Sequence, residues 1–452
     1  MSVDADNLEG LRAAIVSGDP ARIVDLLDAL GEEDERPADL LIELSQAELR
    51  QLATVLGDEI AGDVLGDLDP EDAADLLERL RVQDAADVLE MMDPDDAADI
   101  VGEILPDAAA DILTAMEPDE AEELRELLAY PTDTAGGRMT PAFVSVSPDL
   151  RADQTVVALR RVAQEAETVN YVYVTDAEEH LLGVLSLHNL VLTPPDTRVR
   201  DLMVRDVTRV AAMSDQEEAA RLLNEHDLLA IPVVDDDNHL LGIITADDVA
   251  DILEQETTED IERLGGSQPL EESYLRARPT LLWRRRVIWL LVLFFAGAYT
   301  STVLRFFQDD LEAVVALSFF IPLLIGTGGN VGSQVVTTIV RAMAIGDVRF
   351  SDTLRVVRKE IVTGVMLGAV MSSAMFARAL MMGVGYDVSI VVAVTVIVIV
   401  VWAAVVAAAL PIMLRQLKVD PAVVSAPFIT TLVDGTGLLI YFSVARLVLE
   451  SI

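Results

Sequence analysis

The sequence has no cysteine, which removes disulfide bonds and thiolate metal sites from its chemistry. Lysine is nearly absent too: Lys359 and Lys418 are the two lysines, and every other basic side chain is arginine. The four histidines lie outside the long apolar stretches: His180, His188, His226 and His239. Selectivity for Zn²⁺ or Cu⁺ is therefore not expected.

Three common catalytic signatures are missing: HExxH, GxSxG and the Walker A loop with its lysine. We therefore expect no enzyme. A secretory signal peptide is also not predicted, because residues 1–30 are acidic and amphipathic. We expect the N-terminal part of the chain to stay in the cytoplasm.

Basic charge is scarce in one part of the chain. Residues 1–283 carry 19 arginines and 67 acids, a net charge of −48, whereas residues 284–452 carry 13 basic and 10 acidic residues. A field this negative disfavours nucleic acid and attracts cations. The same excess is also typical of a high-GC or salt-adapted proteome, so total charge does not locate a ligand site.

The C-terminal part contains five long apolar segments. Each is near or above the roughly 20 residues that cross a bilayer as a helix. They are 287–307, 313–342, 361–384, 388–414 and 423–448. Five spans place all the arginine-rich loops on one side, as the positive-inside rule requires. We expect a multi-pass protein of a bacterial or archaeal plasma membrane, with its N-terminus cytoplasmic and its C-terminus outside.

One acid, Asp434, lies inside the fifth segment, in "TTLVDGTGLLIYFSV". An ionised carboxylate at that depth costs roughly 2.5–3.5 kcal/mol, so a lipid-facing helix is not expected to carry it. Gly435, Thr436 and Gly437 allow a neighbouring helix to come close. We interpret Asp434 as a pore-lining cation ligand. A hydrogen bond between helices, made by a protonated Asp434, is the alternative.

The second segment contains "IPLLIGTGGNVGSQ", residues 321–334, with a proline and four glycines. Such a helix is predicted to be broken or very tightly packed. Its threonine, asparagine, serine and glutamine indicate a polar path through the membrane.

Residues 138–257 contain a tandem repeat with a period of about 60 residues. "NYVYVTD" returns as "AIPVVDD", and "GVLS" returns as "GIIT". Each copy reads helix, strand, acidic turn, strand, helix. The pattern resembles a tandem pair of CBS domains, which are regulatory modules that often bind adenine nucleotides. All four histidines fall in this pair, and we expect them to be ordinary surface residues.

The resemblance to CBS domains implies an adenine nucleotide, such as ATP, as a possible ligand. It assigns the binding positions to Tyr171, Ser186, Asn189, Thr245 and Asp248. Asn189 departs from the signature, which has aspartate there. A structural pair that binds no nucleotide is the alternative.

A shorter repeat occupies residues 60–128. "EDAAD", "QDAAD", "DDAAD", "DAAAD" and "DEAEE" follow one another at a spacing of 12 residues. Proline opens several units, with acids in the first helical turn. Twelve residues fit one short helix and a turn, so an α-superhelix is predicted. Helix capping accounts for acids such as Asp69 and Asp93, but not for a whole acidic face.

This order of parts resembles the MgtE family of magnesium channels and transporters over essentially the whole chain. The most specific segments are "AGGRMTP", "TTEDIERLGG", "GTGGNVGSQ" and "VDPAVVSAPFITTLVDGTGLLIY". The implied fold is multidomain. It has an all-α superhelical domain (1–135), two α/β CBS domains (136–200 and 201–258), a connecting plug helix (259–283) and a five-helix transmembrane α domain (284–452).

The resemblance implies a homodimer with a pore on its two-fold axis, closed by Mg²⁺ bound to the cytosolic domains. It places pore acids at Asp434 and, just before the fifth span, at Asp420. It places sensing acids at Asp63, Asp95, Asp99, Asp215, Glu217, Asp227, Asp248, Asp251, Glu256, Glu259 and Asp260. Ser333 and Ala426 stand where the family has asparagine, and each removes an amide that can hold a hydrated ion.

Mg²⁺ suits such a chain because it prefers six oxygen ligands and keeps several waters. We expect the acidic faces to repel at low Mg²⁺, and Mg²⁺ to bridge Asp95 or Asp99 to the CBS acids. A channel and a coupled transporter both remain open. So do Co²⁺, Mn²⁺ or Ni²⁺ as the cation, and chloride or an osmolyte as the solute, because CBS pairs regulate those proteins too.

Overall fold

The computed structural model describes residues 5–32, 36–163, 166–270, 274–275, 277–417 and 421–449. The chain divides into two compact units, residues 1–254 and residues 255–452.

The described part of the first unit begins with ten α-helices. They are α1 Ala5–Ser17, α2 Pro20–Glu32, α3 Pro37–Ile42, α4 Gln46–Leu56, α5 Asp58–Gly66, α6 Pro70–Leu77, α7 Val82–Leu89, α8 Pro94–Glu103, α9 Pro106–Ala115 and α10 Pro118–Leu127. Helix α6 packs on α8, α7 on α9, and α8 on α10, with their alanines and branched aliphatic residues buried. From α6 onward the helices begin every 12 residues, which confirms the predicted repeat of short helices.

The prediction that helix capping accounts for Asp69 and Asp93 is wrong. Both residues occupy the N-cap position, but neither side chain accepts a capping hydrogen bond. Asp69 pairs with Arg36 instead. The carboxylate of Asp93 lies near other acids, and burial and the charge of Asp63 raise its pKa.

The rest of the first unit holds two three-stranded sheets. The elements are β1 Ser145–Val146, α11 Ala152–Val162, β2 Tyr171–Thr175, β3 Leu181–Ser186, α12 Leu187–Leu192, α13 Val199–Leu202, β4 Val210–Ala211, α14 Gln216–Glu225, β5 Ala230–Val234, β6 Leu240–Thr245 and α15 Ala246–Leu264. The strand orders are β1-β2-β3 and β4-β5-β6, each with one parallel and one antiparallel pairing. The identical topology confirms the tandem α/β repeat. Each copy has a short first strand in addition to the two strands that were predicted.

The two acidic hairpin turns lie against each other. His180 Nδ1 is 3.0 Å from an oxygen of Asp176, and His239 Nδ1 is 2.7 Å from an oxygen of Asp235. The two imidazole rings stack with their centroids 4.4 Å apart. His180 and His239 are therefore more than ordinary surface residues, because their contact joins the two copies of the repeat.

The second unit contains the end of α15 and the apolar helices. These are α16 Pro279–Phe306, α17 Gln308–Ala313, α18 Ile321–Ala344, α19 Thr353–Met382, α20 Tyr386–Gln416 and α21 Ala426–Val448. Short 3₁₀ turns at Val315–Phe320 and Phe350–Asp352 precede α18 and α19. Five helical segments are long and apolar enough to cross a membrane, which confirms the predicted number of candidate spans.

The predicted connecting helix has the wrong bounds. Helix α15 is continuous from the second sheet to Leu264, residues 265–270 are not helical, and α16 begins at Pro279. Gly266 ends α15 because its backbone takes a φ of +76°, a left-handed conformation that glycine adopts without strain.

Removing core volume from a repeat helix tests this packing. Ile100 is 1% exposed, and we expect Ile100→Ala to lower the free energy of unfolding of the first unit by about 2–5 kcal/mol. Val16, which is 77% exposed, is the control, and Val16→Ala should change it by less than about 0.5 kcal/mol. Hydrogen exchange in increasing urea measures both values, and equal losses would contradict the packing described.

Candidate metal sites

Acids from three elements converge within the first unit. The first turn of α8 provides Asp95 and Asp96, with Asp93 just before it. The first turn of α15 provides Asp247 and Asp248. Glu167 lies on the segment before β2, where its backbone N–H donates to the carbonyl of Ala142. We call these six residues the acidic cluster.

Three residues of the acidic cluster are half-buried: Asp95, Asp248 and Glu167. The other three, Asp93, Asp96 and Asp247, are exposed, and the charges of the cluster act on one another. Burial, followed by the charges of Asp248 and Asp96, raises the pKa of Asp95 to about 8. Burial, then Asp93 and Asp248, raises the pKa of Asp96 to about 7. Burial and the same two neighbours raise the pKa of Glu167 to about 7. Near neutral pH the acidic cluster therefore cannot carry its full negative charge without compensation.

The donor chemistry of the acidic cluster suits a hard divalent cation, although its ligand atoms do not lie at coordinating distance from one another. Asp95 Oδ1 is buried and has no hydrogen-bond partner among the described residues. An oxygen in that state lacks the interaction that normally offsets its desolvation. Carboxylate oxygens are the ligands that Mg²⁺ and Ca²⁺ prefer, and a bound cation would replace the protons that these acids otherwise hold.

Two predicted sensing acids already have partners. Asp99 Oδ2 accepts a hydrogen bond of 2.6 Å from Arg138, whose Nε donates to Gln216 at 2.9 Å. Asp248 accepts from the backbone N–H of Thr245 at 2.9 Å and from its hydroxyl at 2.8 Å. Arg138 thus offsets the negative charge of Asp99, while the Thr245 bonds fix Asp248 at the start of α15.

The other predicted acids of the first unit lie around the acidic cluster or away from it. Asp63 raises the pKa of Asp93, and Asp251 contributes to the raised pKa of Asp248. Asp215 caps α14 by accepting from the backbone N–H of Glu217 at 2.9 Å. Asp227 is exposed and follows α14 with a φ of +51°.

Four predicted acids lie beyond the first unit. Glu256, Glu259 and Asp260 lie on the part of α15 that belongs to the second unit, and Glu259 pairs with Arg263 at 2.7 Å. Asp420 lies outside the described residues.

Sequence reasoning missed Asp93, Asp96, Asp247 and Glu167. The first three adjoin predicted acids in "DPDD" and "ADD", so neighbouring position was an available signal. Glu167 had none, because only the fold brings the segment before β2 close to α8 and α15.

The predicted nucleotide positions occupy equivalent places in the two sheets. Ser186 Oγ accepts from the backbone N–H of Asn189 at 3.2 Å, and Thr245 bonds Asp248 in the second copy. Tyr171 pairs with Ser186 across β2 and β3. Ser186 caps α12, whereas the Thr245 hydroxyl donates to the carboxylate of Asp248 in the first turn of α15.

Within the described residues, metal-ligand spacing is found at a turn outside the acidic cluster. The ligand atoms of Asp176, Glu178 and His180 lie within 4.8 Å of one another. Asp176 Oδ1 accepts from the backbone N–H groups of Glu178 and His180, at 3.1 and 2.9 Å. The turn is thus held by its own hydrogen bonds.

In the second unit, Asp434 lies on α21 and is half-buried. It forms no hydrogen bond or ion pair with any other described residue, in contrast to Asp310, which bonds Arg446 at 2.8 Å. The alternative of a hydrogen bond between helices therefore finds no partner for Asp434 within the described part of one chain.

Helix α18 is continuous, so the prediction of a broken helix is wrong and the alternative of tight packing is correct. A Cβ atom on Gly328 would lie 2.8 Å from Val433 Cγ1, and one on Gly332 would lie 2.6 Å from Ile429 Cγ2. These glycines let α18 approach α21 closely. Asn330 and Gln334 are exposed on α18.

Three family sequence models match the chain. The intracellular N domain of MgtE matches residues 33–133, the CBS domain matches residues 199–255, and MgtE, described as a divalent cation transporter, matches residues 321–444.

Known proteins are similar over most of the chain. The magnesium transporter MgtE of Thermus thermophilus is 44% identical over 330 residues, 73% of each chain. The magnesium transporter MgtE of Bacillus subtilis is 36% identical over 326 residues, 72% of each chain. A crystal structure of the soluble part of a magnesium transporter has a TM-score of 0.50 and 32% identity, and covers 56% of this chain and 98% of that one.

The raised pKa values predict a pH dependence of cation binding. The carboxyl groups of Asp95, Asp96 and Glu167 have pKa values of about 8, 7 and 7, above their ordinary values. The folded state thus binds more protons than the unfolded state, so without a cation its stability falls as pH rises from about 4 to about 8. Mg²⁺ must displace these protons, so its affinity should rise between about pH 6 and pH 8. Calorimetry in buffers of different ionisation enthalpy counts the released protons; binding without proton release would contradict these assignments.

Proposed function

Because the chain belongs to the MgtE family of divalent cation transporters, we propose that it carries Mg²⁺ across a membrane and that Mg²⁺ bound at the acidic cluster closes it. The observation that carries the first part is Asp434, a half-buried carboxylate on a candidate span, which has no partner among the described residues. A passing cation would supply the missing partner. The acidic cluster supports the second part.

In the proposed pore, two chains face each other so that two copies of Asp434 lie near a two-fold axis. Asn330 and Gln334, exposed on α18, provide further polar groups for water-mediated contact. Because Mg²⁺ gives up its water reluctantly, paired carboxylates that act through water would favour it over monovalent ions. Ser333 stands where the family has an asparagine. Its hydroxyl lies 3.3 Å from the hydroxyl of Thr430 on α21, within hydrogen-bond distance.

The proposed closure uses repulsion. The raised pKa values support the inference that, without a cation, bringing α8 close to α15 and Glu167 costs free energy. A divalent cation cancels this cost, and it shifts the population only because it binds the docked arrangement more tightly than the separated one. Asp95, Asp96 and Asp248 are the proposed principal ligands, with Asp63, Asp93, Asp247, Asp251 and Glu167 around them.

The remaining predicted acids stay in the proposal as outer ligands of the closed form. They are Asp99, Asp215, Glu217, Asp227, Glu256, Glu259 and Asp260. Asp420 stays in the proposal as a pore acid just before the fifth span.

We also propose that an adenine nucleotide binds the sheet pair at Tyr171, Ser186, Asn189, Thr245 and Asp248. The equivalent positions of Ser186 and Thr245, each at the end of a strand and directly before a helix, support it.

The proposed setting is a bacterial or archaeal plasma membrane with the N-terminus cytoplasmic and the C-terminus outside. The asymmetry of arginine and lysine between the loops supports this orientation. Mn²⁺, Co²⁺ and Ni²⁺ are alternative cargoes, because carboxylate and amide oxygens also bind them.

Removing the charge of Asp434 tests the pore. We expect Asp434→Asn to lower the initial rate of Mg²⁺ uptake into liposomes about tenfold or more, the loss of one charge-assisted contact with a hydrated ion. Asp387→Asn is the matched control, because Asp387 is an exposed acid at the start of another span. Equal uptake by Asp434→Asn and wild type would remove Asp434 from the path.

Removing charge from the acidic cluster tests the closure. We expect Asp95→Asn combined with Asp96→Asn to raise the internal Mg²⁺ concentration for half-inhibition about tenfold, as two ligands of a bridging ion are lost. Asp107 follows Pro106 as Asp95 follows Pro94, one repeat later, but it is exposed. Asp107→Asn should therefore leave inhibition unchanged. Uptake assays with preset internal Mg²⁺ measure all three proteins, and unchanged inhibition in the double variant would contradict the proposed site.

A further inference from the structure

Helix α15 ends in a tight turn that two backbone hydrogen bonds close. The backbone N–H of Gly266 donates to the carbonyl of Arg263 at 2.9 Å, and that of Ser267 donates to the carbonyl of Glu262 at 3.0 Å. This pair of bonds, with Gly266 left-handed, forms a Schellman motif. The turn fixes the direction in which the chain leaves α15.

Gly266 lies directly on an indole ring of the first span. A Cβ atom there would lie 2.8 Å from Trp289 Cδ1 and 2.9 Å from Trp289 Nε1, closer than real Cβ atoms come. It would also lie 3.4 Å from Pro427 Cγ, at the start of α21. No side chain fits at residue 266 unless Trp289 moves.

Trp289 in turn holds the beginning of the fifth span. Its Nε1–H donates to Ser425 Oγ at 3.1 Å. Ser425 is fully buried, and its Oγ also accepts from the backbone N–H of Phe428 at 3.3 Å, which caps α21. One serine hydroxyl thus caps the start of α21 and accepts the hydrogen bond from Trp289.

The segment beyond Gly266 is tied to the same place. The backbone N–H of Gln268 donates to the carbonyl of Arg285 on α16 at 3.2 Å. The backbone N–H of Leu270 donates to Glu262 Oε2 at 2.7 Å. The first bond ties the segment beyond Gly266 to α16, and the second ties it back to α15.

We propose that Gly266, Trp289 and Ser425 form a clasp that sets the position of the fifth span according to the position of α15. The same continuous α15 carries Asp247, Asp248 and Asp251 in its first two turns. Asp434 lies nine residues beyond Ser425 on α21, about 13 Å along the helix axis. A displacement at Ser425 therefore reaches Asp434 through an unbroken helix. The three clasp residues are positioning residues, and their role rests on the proposed function.

Gly266→Ala tests the clasp, and Gly346→Ala is its matched control. Both glycines have nearly the same left-handed backbone, with φ of +76° and +75°, but the space beside Gly346 is open. Both variants therefore carry the same backbone strain, and only Gly266→Ala pushes against Trp289. Trp289→Phe is a second variant, which keeps an aromatic ring and removes the donor to Ser425.

Mg²⁺ uptake by full-length protein in liposomes is measured at low and at increasing internal Mg²⁺. For Gly266→Ala we expect the half-inhibiting concentration to rise about tenfold, and for Trp289→Phe about fivefold, the value of one hydrogen bond. Uptake at low internal Mg²⁺ should stay within about twofold of wild type, because Asp434 is untouched in all three variants. Gly346→Ala should behave as wild type in both measurements.

Three outcomes would overturn the clasp alone, while wild type still transports and is inhibited. They are wild-type inhibition in Gly266→Ala, an equal shift in Gly266→Ala and Gly346→Ala, and wild-type inhibition in Trp289→Phe. If Gly266→Ala does not fold, Trp289→Phe decides the question. Wild-type protein that takes up no Mg²⁺ would overturn the proposed function and the clasp together.

Discussion

Carboxylates that share a poorly solvated space cannot all keep their charge, and the account of the first unit depends on this constraint. Asp95 faces Asp96 and Asp248, and its pKa rises to about 8. At neutral pH the acids must hold protons, separate, or bind a cation. The acidity of the sequence sets the field, and in the proposed closure the close approach of α8, α15 and Glu167 makes that field respond to a cation.

Asp434 in the second unit is a single half-buried carboxylate, and the proposed cation path rests on it. Surface acids have water, and the buried Asp310 has Arg446. Asp434 has neither an arginine nor a hydrogen-bond donor among the described residues. A cation is the natural counter-charge in both places. Helix α15 is common to both proposals, because its first turns bear acids of the proposed sensing site and its last residue, Leu264, lies two residues before Gly266, which packs on Trp289.

Periodic features were predictable from the sequence, and features that depend on one close contact were not. The 12-residue repeat, the duplicated sheets and the five candidate spans follow from hydrophobic and acidic periodicity. The bounds of the connecting helix failed because Gly265 and Gly266 end α15 early. The sequence did not decide whether α18 is broken or continuous, because glycines occur both in broken helices and in tightly packed ones. The close contacts with α21 decide between the two. Glu167 was not predictable from the sequence, because only the tertiary fold brings it close to α8 and α15.

The central claim is that Mg²⁺ brings α8 and the sheets together. The most direct test measures the distance between a label just after α8 and a label beside the first sheet as Mg²⁺ is added. The chain has no cysteine, so Leu105→Cys and Val191→Cys, at positions that are 66% exposed, accept spin labels specifically. Double electron–electron resonance on the full-length protein then gives the distribution of distances. The account predicts a broad distribution in chelator near pH 8 and one narrow distance in Mg²⁺. The same distribution in both conditions would contradict it.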